Sequence, residues 1–398
     1  METGAFPQIG PWPAQHPRPY PFDHPVANED RAFPQVSCLQ IKVNGVILFG
    51  NTLTALEEVR MTRGIIIANT GSPASPSPQD VEEYLRAYLM DPRIRQLPFF
   101  FWHLLVHNRI LPRRKFEAAE RYRSIWSGEA SPLVRNQESL CRRMQEIFDA
   151  RGEDVLVRCA MSYGDPSIDT VLWNLRQAGC DHLTLLPLYP QSAHCITSSV
   201  TDAFMRARRE IGWDVAYDIV EHYHENAGYI EAVAARIGAA GFGEQGDDRL
   251  VLSFHSIPLR DERAGDTYRT QVSATADALC ARLGVDPNRV TVCYQSVFGN
   301  RPDAWAGPLA CDVLDRMRGE RGRVFFCCPG FAVDCLETLY DVPHEIAPAL
   351  NGSYIPVELA DFEKKAGVAI GERFVWVSCL GDTDEHAQVI ASMLTGKG

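Results

Sequence analysis

The chain has 398 residues, 45% of them apolar, and a formal charge of −12. That length accommodates two domains, and the apolar share is ordinary for a globular protein. The acidic balance excludes nucleic acid as a general partner, because phosphate demands a basic surface, and no run of about eighteen apolar residues exists to span a membrane.

Residues 1–60 read as a Pro-rich and disordered segment, with Pro11, Pro13, Pro17, Pro19 and Pro21 close together. No basic region followed by an apolar core marks a secretory signal. The apolar piece Ile41 to Leu53, with Asn44-Gly45 as a turn, is either a hairpin or a stray strand. Met61 to Gly71 reads as the first strand of a domain, and Met61 itself is a candidate start. After a Ser/Pro loop, Ser77 caps a helix with Pro78 at its first position and Asp80 in its first turn, running to about Met90. The stretch Pro98 to Pro112 packs Phe99, Phe100, Phe101 and Trp102 together and ends in Arg113, Arg114 and Lys115. It is either a buried core helix, which composition favours, or an exposed apolar lip with a basic edge, suited to a flat anionic ligand or a membrane surface.

Strands and helices then alternate. Strands are expected at Val155 to Met161, His182 to Tyr189, Val215 to Val220, Val251 to His255, Val290 to Gln295, Val324 to Cys328 and Phe374 to Ser378. Helices are expected near Ile168 to Ala178, Ser198 to Ile211, Tyr229 to Ile237, Tyr268 to Leu283, Leu309 to Met317 and His386 to Leu394. Such alternation predicts an α/β protein of two doubly wound Rossmann-like domains with parallel sheets and a cleft between them. The boundaries are 61–225, with the lip at 98–112, then 226–380, then a C-terminal helix within 381–398. The twelve cysteines are scattered, several in strand-like runs such as Cys293 and Cys327, and none form a Cys-x-x-Cys pair. This points to buried thiols in a reducing cytoplasm.

Two stretches carry chemistry. Val251 to Pro258 is an apolar strand ending on His255, and ligands of open α/β sheets sit beyond the carboxyl ends of strands. Val324 to Asp341 is a strand, a Pro-Gly turn and a helix start that carries Glu337. Taken singly, each side chain is more often a satisfied core histidine or a solvated helix residue.

Taken together, the motifs resemble the ferrochelatases, enzymes that insert ferrous iron into a porphyrin to make haem. The matching pieces stand in the family's order from Arg63 to Leu394. They are Ile-Ile-Ala-Asn-Thr-Gly-Ser-Pro73, Tyr-Leu-Met-Asp-Pro-Arg93, Tyr122-Arg-Ser-Ile-Trp with Ser131-Pro-Leu, and Met161-Ser-Tyr-Gly-Asp-Pro-Ser167. Leu186-Pro-Leu-Tyr-Pro-Gln191, Ser253-Phe-His-Ser-Ile-Pro258, Tyr294-Gln-Ser296 and Cys328-Pro-Gly-Phe come next, the last running into Asp334-Cys-Leu-Glu-Thr-Leu339. The resemblance implies that His255 is the cleft histidine, accepting pyrrole protons or guiding the metal, and that Glu337 is the acidic residue opposite. Asp341 and Glu345 stand at i+4 and i+8, so on a helix they share a face with Glu337. His255, Glu337, Asp341 and Glu345 are thus the implied metal-handling residues, the carboxylates forming a ladder for a hydrated divalent cation. Thr70, Tyr122, Ser131, Tyr163 and Trp305 are implied porphyrin contacts. Phe100 and its neighbours take the position of the family's apolar lip, which reverses the preference for core.

The chemistry suits these residue types. A porphyrin is flat and apolar and holds two N–H protons. Metal enters a bent ring more easily than a planar one, so remote binding energy must supply the strain and a base must take the protons. Two departures stand out: Ser162 replaces an arginine common in the family, and Pro343 falls inside the ladder, predicting a kink after Asp341.

Ferrous iron is expected as substrate. The chain reaches Gly398 with only Cys379 nearby, so no 2Fe–2S cluster is expected, with Cys159, Cys327, Cys328 and Cys335 as the residual internal candidates. Protoporphyrin is favoured by the Cys-Pro-Gly-Phe and Asp-Cys-Leu-Glu-Thr pieces, which resemble bacterial protoporphyrin-type members. Coproporphyrin, another tetrapyrrole chelatase and a non-enzymatic haem or metal binder are the alternatives. The expected partners are porphyrin and ferrous iron, without nucleic acid, for a monomer or homodimer in the cytoplasm that touches a membrane through the lip.

Overall fold

The computed structural model describes residues 62–299, 301–362 and 365–395, and two short strands before them. These, β1 (Lys42–Val43) and β2 (Val46–Ile47), pair antiparallel with Val43 opposite Val46. This is a hairpin, which Asn44-Gly45 favours. The other expectations for residues 1–61 lie outside the described residues. The chain divides into one unit up to Val59 and a second from Arg60, and the second holds two large sheets.

The first sheet contains β3 (Arg63–Gly71), β4 (Val155–Tyr163), β5 (His182–Pro187) and β6 (Ala216–Ile219), in the order β4-β3-β5-β6 and parallel throughout. Ile65, Ile66, Ile67 and Ala68 are all fully buried, because both faces of β3 are covered. Ile65 and Ile67 pack toward Leu140 and Phe148 of the helix Pro132–Ala150. Ile66 and Ala68 pack toward Leu172 and Phe204 of the helices Ile168–Gln177 and Thr197–Glu210.

The second sheet contains β7 (Arg249–His255), β8 (Val290–Gln295), β9 (Val324–Cys327), β10 (Gly367–Ile370) and β11 (Phe374–Val377), in the order β10-β11-β9-β7-β8. Its strands are parallel except β10, an antiparallel edge strand that is not among the expected ones. Leu250, Leu252 and Phe254 face the helices Ala227–Ala239 and Tyr268–Leu283, whereas Val251 faces the opposite layer with Val313 and Val342. The last helix, Asp384–Thr395, buries Ala387, Ile390 and Ala391 in the core that Leu140 and Phe148 share with Leu252 and Phe254. The two sheets are therefore joined by one continuous apolar core.

Most expected elements fall within a residue or two of their places; Tyr268–Leu283 and Val290–Gln295 match at both ends. The nineteen-residue helix Pro132–Ala150 is an addition to them, although Ser131 caps it by accepting from the Val134 N–H. Among the described residues no helix is long and apolar enough to cross a membrane.

Candidate active site

A cleft of about 530 Å³ opens beyond the carboxyl ends of β3, β5, β7 and β8 and is lined from both halves of the second unit. Its size is that of a small-molecule site, and its place is where open α/β sheets bind ligands. The chain can turn sharply into it after β3 because Gly71 takes a φ of +101°. A Cβ there would lie 2.0 Å from the Tyr163 carbonyl oxygen.

His255 ends β7 as expected and lines the cleft, partly buried. Its Nδ1 lies 2.7 Å from the Ser256 carbonyl oxygen. A carbonyl only accepts, so Nδ1 carries the proton and Nε2 keeps its lone pair in the neutral ring. The loop after the strand is laced in place: the Ser256 N–H donates to the Gln295 carbonyl at 2.8 Å and the Ser256 hydroxyl to the Ala306 carbonyl at 2.8 Å, beside Trp305. Gln295 is the hub of this wall. Its Oε1 accepts from the Ser253 hydroxyl at 2.6 Å, and its Nε2 donates to the Glu337 carbonyl at 2.9 Å. The end of β7 and the first residue of the acidic helix are thereby tied to one buried amide.

That helix, Glu337–Ile346, is a π-helix, and Pro343 lies inside it. In an α-helix a proline ring collides with the carbonyl four residues earlier and leaves it unbonded. The widened turn accommodates the ring, and the helix runs on through Pro343 to Ile346. Glu337, Asp341 and Glu345 all line the cleft. The Ser296 hydroxyl donates to Asp341 Oδ2 at 3.1 Å. Among the described residues Ser296 is the one non-glycine with a left-handed backbone, at φ 63°, a conformation that surrounding structure must hold. Arg121 reaches across from the first half, 3.3 Å from Asp341 and 2.8 Å from Glu345. Burial pushes the Asp341 carboxyl up to about 7, with repulsion from Glu337 and Glu345 adding to this and Arg121 and Ser296 opposing it. The expected metal-handling residues share one cleft but do not form a cage: among the described residues no three His, Cys, Asp or Glu side chains converge to hold an ion. Cys159, Cys327, Cys328 and Cys335 are buried free thiols.

The opposite wall is aromatic. Tyr122, Tyr84 and Tyr88 line it in contact, Tyr84 edge-on to Tyr122 at 6.4 Å and stacked on Tyr88 at 6.3 Å. Burial pushes all three hydroxyls well above the ordinary tyrosine range, so they stay neutral donors. Thr70 lines the cleft, its N–H donating to the Tyr189 oxygen at 2.7 Å, and Trp305 lines it from the other half. Tyr163, Ser131 and Phe100 do not line it. Tyr163 stands one layer behind, edge-on to Tyr88 at 5.5 Å, with its hydroxyl donating to Asp91 at 2.7 Å. Ser131 is spent on its helix cap. Phe100 is 66% exposed on the lip.

The lip is both things that its sequence allows. Phe99, Phe100, Phe101, Leu104 and Leu105 are exposed, whereas Trp102, Val106 and Leu111 form a small core with Leu89, whose carbonyl accepts from the Trp102 indole at 2.6 Å. The helix Phe99–Leu105 passes through a π-turn, Val106–Ile110, into Leu111–Ile125. Of the basic edge, Arg114 turns into the cleft, 4.5 Å over the Phe298 ring, while Lys115 pairs with Glu82 at 2.6 Å.

The cleft-lining residues that sequence reasoning misses include Arg121, Gln295, Ser296, Tyr84 and Tyr88. Gln295 and Ser296 stand inside the Tyr294-Gln-Ser296 motif, so their presence is visible there but not their task. Arg121 has no local mark.

Residues 62–397 match the family model described as Ferrochelatase. Curated relatives include a ferrochelatase of Mannheimia succiniciproducens, 33% identical over 83% of this chain and 96% of the relative. One of Nitrosococcus oceani is 34% identical over 83% of this chain and 85% of the relative. One of Haemophilus influenzae is 35% identical over 74% of this chain and 95% of the relative.

Proposed function

The chain belongs to the ferrochelatase family, a metal chelatase that inserts ferrous iron into a porphyrin in haem biosynthesis, and we propose that His255 is its proton acceptor and protoporphyrin IX its porphyrin. The observation that carries the first part is the contact of His255 Nδ1 with the Ser256 carbonyl at 2.7 Å: a carbonyl partner assigns the proton to Nδ1 and leaves the Nε2 lone pair to a residue that lines the cleft. An imidazole so oriented can accept a pyrrole proton on Nε2. Iron and porphyrin are both substrates. The neutral tyrosine wall and the apolar lip suit the flat faces of the macrocycle, and their contacts are the source of binding energy for bending it. Glu337, Asp341 and Glu345 offer oxygen ligands along the route of iron from solvent to His255. The exposed apolar residues of the lip, beside Arg113, suit a peripheral membrane contact for a cytoplasmic chain.

Charge supports protoporphyrin. Arg93, Arg121 and Arg260, three of the arginines lining the cleft, are engaged by Asp202, by Asp341 with Glu345, and by Asp261. Arg114 stands over Phe298 and keeps its charge in the cleft. That supply of cations suits two propionates better than four. Anaerobic assays with ferrous iron and either protoporphyrin IX or coproporphyrin III should give the larger kcat/KM for protoporphyrin. The reverse ranking would overturn the porphyrin assignment.

A further inference from the structure

We propose that Arg121 is a displaceable counter-cation on the outer two carboxylates of the Glu337–Asp341–Glu345 series, and that it sets how readily a divalent metal enters. The inference rests on reading that series as the route of iron. The outer end of the series is the exposed one: the Glu345 side chain is 45% exposed and that of Asp341 13%, while Glu337, also partly buried, lies further along the same π-helix with its carbonyl bonded to Gln295. A cation arriving from solvent therefore meets Glu345 before Asp341, and both are already held by the Arg121 guanidinium.

Arginine does not vacate a site by losing its proton, so it has to move. Its contacts are of the kind that lets it. The pair with Glu345 is solvent-exposed, and such pairs are weak. A divalent ion brings twice the charge and a preference for carboxylate oxygen. The guanidinium also has somewhere to stay. It lies 5.0 Å over the Tyr340 ring, which stacks on His344 at 4.2 Å, and His344 stacks in turn on Tyr354 at 5.0 Å. The His344 Nδ1–H donates to the Tyr340 carbonyl at 3.0 Å, fixing the imidazole against its own turn. A cation–π contact on this platform persists when the carboxylates are taken by metal. Arg121 comes from the helix Leu111–Ile125, one residue before Tyr122 of the aromatic wall, so the first half supplies the counter-charge for the acidic wall of the second. Arg121 is thus a positioning residue that competes with substrate metal while offsetting the charge of Asp341 and Glu345 in the metal-free fold.

The test is Mn²⁺ binding, monitored by electron paramagnetic resonance, together with steady-state metal and porphyrin titrations. The proteins are the wild type, Arg121→Met, Arg121→Lys, and Arg121→Met combined with Asp341→Asn and Glu345→Gln. Arg121→Met should bind Mn²⁺ roughly fivefold more tightly, the scale of one exposed ion pair, and lower the metal KM by a similar factor. The change should appear in that KM rather than in kcat or the porphyrin KM, and Arg121→Lys should stay near the wild type. Unchanged or weaker Mn²⁺ binding by Arg121→Met, or a rise confined to the porphyrin KM, would overturn the proposal and make Arg121 an anchor for porphyrin. If the triple variant binds Mn²⁺ as tightly as Arg121→Met, the metal is not on these carboxylates, and the route itself is wrong.

Discussion

The two walls of the cleft are built by similar parallel sheets but differ in the segments that connect the strands. In the first half, 83 residues intervene between β3 and β4, and the helices among them bring Tyr84, Tyr88 and Tyr122 to the cleft and carry the lip. Those side chains are aromatic, and their hydroxyls are held neutral by burial. In the second half β7 passes at once into a laced loop, and β9 leads through a short turn into the π-helix. That wall carries His255 and three carboxylates, positioned by Gln295 and Ser296. The difference teaches that the sheets supply only the place. A broad aromatic surface can yield gradually to substitution, because many contacts share the load, whereas a wall of single placed groups cannot.

The sharpest break in that comparison is His255→Ala. Turnover should fall by about 10²- to 10⁴-fold, the worth of a positioned base, while porphyrin affinity and unfolding temperature hold. Anaerobic insertion assays and fluorescence titration measure both, and near-normal turnover would remove His255 from the chemistry. In the first half the largest effect should be on folding. Trp102→Ala, with its buried ring and indole bond lost, should cost about 3–5 kcal/mol in urea unfolding.

The second half should also dominate acid sensitivity. His386 is fully buried, its Nδ1–H donates to the Gly381 carbonyl at 2.6 Å, and burial lowers its pKa to about 4. The folded pKa lies below the unfolded one, so the unfolded chain binds the proton first. Stability is unaffected above pH ~6.5 and falls as pH drops from there toward about 4, by about 3 kcal/mol at most. His386→Leu should flatten that limb of a pH series of urea melts, and an unaltered limb would assign it elsewhere. The smallest effect on stability belongs to Phe100→Asp. On an exposed lip residue it should stay within about 0.5 kcal/mol while weakening porphyrin binding. A large loss of stability with unchanged affinity would return this residue to the core.

Much of the scaffold is legible because its causes are local. Ser77 and Pro78 mark a helix start by themselves, and the hydroxyl does accept the Asp80 N–H. An apolar run closed by His255 marks a strand end wherever the strand lies in the sheet. The helix Pro132–Ala150 is not among the expected elements although its Ser-Pro start carries the same mark. The lip shows where local reasoning stops. Phe100 and Trp102 are two residues apart and alike in hydrophobicity, yet one is 66% exposed and the other 2%, because Leu89 and Val106 cover only one side of that helix.

The sequence by itself determined the order of strands and helices, the caps, the end of β7 at His255 and the acidic spacing of 337, 341 and 345. The tertiary structure decided that the acidic segment is a π-helix that accommodates Pro343, that Tyr163 stands behind the cleft rather than in it, and that Arg121 serves Asp341 from 220 residues away. Periodicity and capping act over a few residues, so they are written in the local sequence. Side-chain exposure and charge pairing across a cleft depend on which surfaces the packed sheets bring together, and no short stretch of the chain contains that information.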